Sequence, residues 1–147
     1  MDITILLYDR FTALDAIGPY EVLSRIPGAT VSFVASERGV VHTDVGSLGV
    51  EVTTALDEVD RTDLLLVPGG PGETRAREIG TTVEWVRAID ATTTWTTSVC
   101  TGSLVLAQAG VDLGVTYPRP IVQHAAARAG ALAALAAFSG KPLPDED

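Results

Sequence analysis

The sequence predicts a layered α/β domain, with a mostly parallel sheet flanked by helices. Three observations carry that expectation. Short apolar or β-branched runs of strand length alternate with stretches of helical spacing. The run Leu64-Leu65-Leu66-Val67 is apolar throughout, as parallel strands covered on both faces are. Three strand exits, Asp9–Asp15, Pro68–Gly72 and Cys100–Gly102, are polar or glycine-rich, and in such sheets sites form at the carboxyl ends of strands.

The elements follow in order. Ile3 to Tyr8 is an apolar first strand and Asp9 to Asp15 a loop. Gly18-Pro19 opens a helix, because proline fits a first turn; Tyr20, Leu23 and Ile26 give it an apolar face, and Pro27-Gly28 stops it. Thr30 to Ala35 is a second strand. Val40–Thr43 and Gly49–Thr53 form an antiparallel hairpin around the turn Asp44–Gly46. Leu64–Val67 is the next strand and ends abruptly at Pro68-Gly69-Gly70-Pro71-Gly72. Ile79–Ile89 has helix spacing through Val83, Val86 and Ile89. Thr92–Val99 is a β-branched strand, followed by a helix through Leu104, Val105, Leu106, Ala107 and Ala109. Ala125–Ala137 is helix-prone but interrupted at Gly130. Residues 1–140 read as one domain and 141–147 as an acidic tail, with Asp145, Glu146 and Asp147 forming a solvated end.

Composition narrows the function classes. An apolar fraction of 46% excludes disorder, and no apolar run approaches the length of a membrane span. The first residues lack the basic flank of a signal peptide. A single cysteine excludes an internal disulfide and a multi-cysteine zinc site. These features fit a cytoplasmic protein. Ten Lys+Arg against 19 Asp+Glu give a net charge of -9, which argues against nucleic acid or an anionic membrane as partner.

The chemistry centres on Cys100, between the Thr-rich strand and the helix after it. A cysteine on a sharp strand-to-helix turn resembles a nucleophile elbow with a thiol for the hydroxyl. There it faces the free N–H groups and the positive end of the helix dipole, which favours thiolate over thiol. The plain alternative is a buried cysteine packed as a small hydrophobe. The Gly70 and Thr101 N–H groups are candidate oxyanion-type donors, although Pro-Gly-Gly-Pro-Gly also serves as ordinary turn material. Asp15 is a candidate acid near Cys100, or a carboxylate favoured by a helix start. Glu21, one turn further on, is a second candidate acid, with a surface or structural role as the simpler reading. His42 and His124 are the only histidines, and neither adjoins the cysteine in sequence.

Three stretches, Leu14–Leu23, Leu65–Gly70 and Ser98–Ala107, resemble the ThiJ/PfpI superfamily, with the class I glutamine amidotransferase-like, flavodoxin-like fold. The likeness extends from Met1 to about Gly110 and is nearest the isonitrile-hydrating branch. The resemblance implies that Cys100 is the nucleophile, that Asp15 contacts it and transfers protons, and that Thr101 belongs to the active site. It implies a homodimer, a small neutral organic substrate and no metal or organic cofactor. Peptidase-like branches place histidine after the nucleophile; Thr101 stands there instead, which favours a lyase adding water to an isonitrile through a cysteine thioimidate. The same superfamily also contains ligand-sensing domains of transcription regulators and redox-sensing or aldehyde-repair proteins. One departure stands out. Ala109-Gly110-Val111-Asp112-Leu113-Gly114 joins pieces that relatives separate by further strands, so the domain is expected to be shortened toward its C-terminus.

Overall fold

In the computed structural model, which describes residues 1–112, 115, 117, 119 and 123–139, the apolar run near the N-terminus forms β1, Asp2–Leu6. It is central because its side chains from Ile3 onward are buried on both faces. It pairs in parallel with β2, Thr30–Ala35, on one side and with β6, Leu64–Val67, on the other. Beyond β6 lies β7, Trp95–Ser98; beyond β2 lies β5, Thr54–Ala55. The order β5-β2-β1-β6-β7 is parallel throughout. The strands β3, Gly39–His42, and β4, Gly49–Val52, pair antiparallel as a separate hairpin, as expected.

The helices are α1, Ala13–Leu23; α2, Glu73–Glu78; α3, Gly80–Asp90; α4, Gly102–Ala109; and α5, His124–Ser139. The step from β1 to β2 runs opposite to the step from β6 to β7. Right-handed crossovers therefore put α1 on one face of the sheet and α3 on the other. Helices α2, α3 and α4 pack on one another. The direction of the crossovers reverses between β1 and β6, the topological switch point at which ligands bind in open α/β sheets. Contacts divide the chain into Met1–Tyr117 and Pro118–Asp147, where the sequence suggests one domain to residue 140. No helix among the described residues is long and apolar enough to cross a membrane. The acidic tail, 141–147, lies outside the described residues.

Several local expectations are corrected. Helix α1 starts at Ala13, so Pro19 sits inside it rather than opening it, and the helix ends before Ile26. Pro19 has no N–H to offer the carbonyl four residues back, which is that of Asp15. Strand β7 is shorter than the Thr-rich run. The Thr92 and Thr93 hydroxyls donate to Ile89 O at 2.8 Å and Asp90 O at 3.0 Å, closing α3 instead of extending the strand. Helix α5 runs unbroken through Gly130, since one glycine costs only about 1 kcal/mol in an otherwise alanine-rich helix. The short α2 and the two-residue β5 have no clear sequence signal.

The loop between β1 and α1 is pinned by Phe11, which is fully buried. Its N–H donates to Tyr8 O at 3.2 Å, its carbonyl accepts from Asp44 N at 2.9 Å, and it bridges to Thr43 beside the hairpin. Phe11→Ala is expected to cost about 3–5 kcal/mol, read as a drop in the urea midpoint with an unchanged slope.

Candidate active site

Three strand exits meet around one glycine. Gly69 follows β6, Asp15 lies in the first turn of α1 after β1, and Cys100 follows β7. A Cβ placed on Gly69 would lie 2.7 Å from Cys100 Cβ, 2.7 Å from Thr101 N and 2.9 Å from Asp15 Oδ2. The acid and the cysteine thus flank the same Cα, and only glycine fits between them. The Gly69 N–H donates to Asp15 Oδ2 at 3.2 Å, and the Gly69 carbonyl accepts from Thr12 N at 2.9 Å.

Cys100 has φ 53, in the left-handed region that non-glycine residues seldom occupy. The turn is held on both sides: Val99 N donates to Val67 O, and Gly102 N to Val99 O, each at 3.0 Å. Helix α4 begins directly after Thr101. Cys100 is exposed, so the buried, inert alternative does not apply. Asp15 is buried, at 9% of its free surface, and its carboxylate faces the Gly69 peptide rather than bulk water.

One donor differs from the expectation. The Gly70 N–H is not free toward the thiol; it donates to Thr101 Oγ1 at 3.1 Å. Gly70 has φ 134, and a Cβ there would lie 2.5 Å from Thr12 N and 2.6 Å from Arg10 O. The backbone of the β1 exit occupies that side, which aims the peptide at Thr101. Gly70 therefore orients a side chain at the site, and Thr101 contributes both its hydroxyl and its own N–H to the neighbourhood of Cys100.

The other candidates fall outside. Glu21 is exposed and pairs with Arg25 at 2.9 Å, as a surface residue. His42 is exposed on β3, beside Gly49, and no contact with Cys100 is seen among the described residues. The side chain of His124 lies outside the described residues, and its backbone begins α5 in the second unit.

The sequence does not single out two further buried residues, Tyr8 and Glu73. Tyr8, at the end of the first apolar run, donates its hydroxyl to Pro68 O at 2.6 Å. Burial first, then the charges of Glu73, Asp15 and Cys100, raise its pKa well above the ordinary phenol value, so it stays a donor. Glu73 is buried at the start of α2 and bonded by Arg77 at 2.6 Å, which holds its carboxyl below the usual carboxylate range. A buried phenol following an apolar strand is the only trace of this arrangement in the sequence. Among the described residues, no group of histidine, cysteine and carboxylate side chains is placed to hold a metal.

A parallel α/β sheet with a left-handed cysteine at a strand-to-helix turn, beside a buried carboxylate, defines a cysteine-centred α/β domain. Residues 1–117 match the DJ-1/PfpI family, and the chain belongs to it. It is 36% identical over 114 residues to an isonitrile hydratase from Pseudomonas putida, covering 78% of this chain and 50% of that protein. It is 32% identical over 123 residues to a deglycase from Pyrococcus abyssi (strain GE5 / Orsay), covering 80% of this chain and 73% of the other. A crystal structure of a ThiJ/PfpI family protein from Pseudomonas syringae superposes with TM-score 0.72 at 30% identity, covering 75% of this chain and 46% of that one. The chain thus spans about half the length of the isonitrile hydratase.

Gly69→Ala is expected to lower stability by about 1–3 kcal/mol through overpacking between the acid and the cysteine. Gly80→Ala, with nothing within 4 Å of its Cβ, serves as the neutral control in the same denaturant titration. Thr101→Val removes the acceptor of the Gly70 N–H, and faster amide exchange at Gly70 is the expected readout.

Proposed function

We propose that this domain acts as an isonitrile hydratase-like lyase, converting R–N≡C and water to an N-substituted formamide without a cofactor. The observation that carries the reading is the packing of Asp15, Cys100 and Thr101 around Gly69. The similarity to isonitrile hydratase supports it.

The Cys100 thiolate adds to the terminal carbon of the isonitrile. Asp15, protonated, delivers its proton to that carbon, giving a thioimidate and a carboxylate. The carboxylate then takes a proton from water as the oxygen attacks the same carbon. The tetrahedral adduct collapses with its hydroxyl proton ending on nitrogen; the formamide leaves, and the thiolate and the protonated Asp15 are restored. The Thr101 N–H and hydroxyl stabilise the oxygen of the adduct, with the hydroxyl held by the Gly70 N–H. No step calls for a base on His42 or His124.

The thiol's exposure implies a further wall around a bound substrate, which we assign to a second copy of the domain in a homodimer. A second reading, aldehyde repair at the same thiol, is favoured by the similarity to a deglycase.

Incubation with a simple alkyl isonitrile, followed by formamide detection, tests the first reading. Cys100→Ala is expected to abolish turnover, and Asp15→Asn to lower it by about 100-fold or more with the fold intact. Formamide production by the Cys100→Ala protein would exclude the mechanism. An inert isonitrile alongside turnover of a glycated or aldehyde substrate would favour the second reading.

A further inference from the structure

A cavity of about 370 Å³ opens at the exits of β1 and β2 against α2 and α3. Its walls include Tyr8, Asp9, Ser36, Arg75, Ile79 and Thr82, and neither Cys100 nor Asp15. Its volume is that of a small-ligand pocket.

Thr82 is the informative residue. It is 4% exposed, yet its hydroxyl has no hydrogen-bond partner among the described residues. A buried helical threonine ordinarily satisfies its hydroxyl within the protein. Here the hydroxyl opens into the cavity, where a ligand atom would satisfy it. Ser36 brings a second hydroxyl from the β2 exit, also without a protein partner among the described residues. Ile79, the residue before α3, gives that helix no side-chain cap and lines the cavity with Thr82, so the start of α3 borders it.

The charges decide the ligand class. Asp9 and Arg75 lie on the cavity wall from different elements, and neither makes an ion pair among the described residues. A lone carboxylate would meet Asp9, and a lone ammonium would meet Arg75. A molecule carrying both charges finds a partner for each: its carboxylate with Arg75, Thr82 and the start of α3, its ammonium with Asp9. We infer that this cavity binds a small zwitterion of amino-acid size.

The test is an amide NMR titration of the full chain with glycine, β-alanine and 4-aminobutyrate, against propionate and propylammonium as singly charged controls. At least one zwitterion is expected to shift the Ser36 and Thr82 resonances and to bind about tenfold or more tighter than either control, the worth of one added charged hydrogen bond. The exposed changes Arg75→Gln and Asp9→Asn should each weaken that binding without altering the rest of the spectrum, and Thr82→Val should weaken it further. Cys100→Ala should leave it unchanged, which separates this site from the proposed reaction. Equal binding of the controls, shifts elsewhere, or no saturation by any of the three zwitterions would overturn the inference.

Discussion

The candidate site depends on one residue having no side chain. Gly69, two residues past β6, lies between the exits of β1 and β7, and both its peptide groups bond the β1 side: its carbonyl takes the Thr12 N–H, and its N–H goes to the Asp15 carboxylate. The next peptide reaches the other way, from Gly70 N to Thr101 Oγ1. Any Cβ at 69 would drive Cys100 from Asp15 or break one of these bonds. The acid and the thiol come from different strands 85 positions apart in the chain. The distance between them is set by backbone contact, not by the reach of flexible side chains, which is the kind of rigid support a preorganised site needs.

That arrangement carries a conformational cost. A left-handed non-glycine residue is strained by about 1–2 kcal/mol, and Cys100 sustains that strain because its neighbours are fixed. Val99 is tied to Val67, Gly102 closes the turn to Val99, and α4 packs its Val105 and Leu106 into the core. The strained turn lifts the thiol out of the sheet and exposes it. Tyr8 supports the neighbouring β6 exit. Its phenol stays protonated among acidic neighbours and bonds the carbonyl immediately before Gly69. Burial first, and then its acidic neighbours, disfavour the Tyr8 anion, so the phenol keeps its proton for the Pro68 carbonyl.

Much of this architecture was legible in the sequence where the signal is hydrophobic. β1, β2, β6 and the hairpin lie close to their expected places, because apolar runs and alternation report burial directly. Cys100, Asp15 and Thr101 were legible through their strand-exit positions and through the family likeness. The misreadings come from competing local chemistry. Pro19 looked like a helix opener, but burial of Ala16 and Asp15 extends α1 upstream of it. The threonines at 92 and 93 looked like strand, but their hydroxyls close a helix. Gly70 was expected to aim its N–H at the thiol, whereas the approach of the β1 exit turns it to Thr101. Tyr8 and Glu73 went unread because their roles come from long-range packing, which no local pattern records.

Every hydrogen bond that builds the candidate site is made within Met1–Tyr117, the unit that also matches the family. The break at Ala109–Gly114 therefore falls after the last site residue, and the expected shortening does not touch the strand exits that hold Asp15, Gly69 and Cys100. The thiol has a floor of glycine backbone and an acid beside it, but it remains open to solvent. In a site of this kind, preorganised donors gain strength once water is excluded, since charge interactions grow as the local dielectric falls. For the proposed reaction, residues 1–117 hold Asp15, Thr101 and Cys100 together, and whatever covers Cys100 would set how strongly Thr101 and Asp15 act on a substrate.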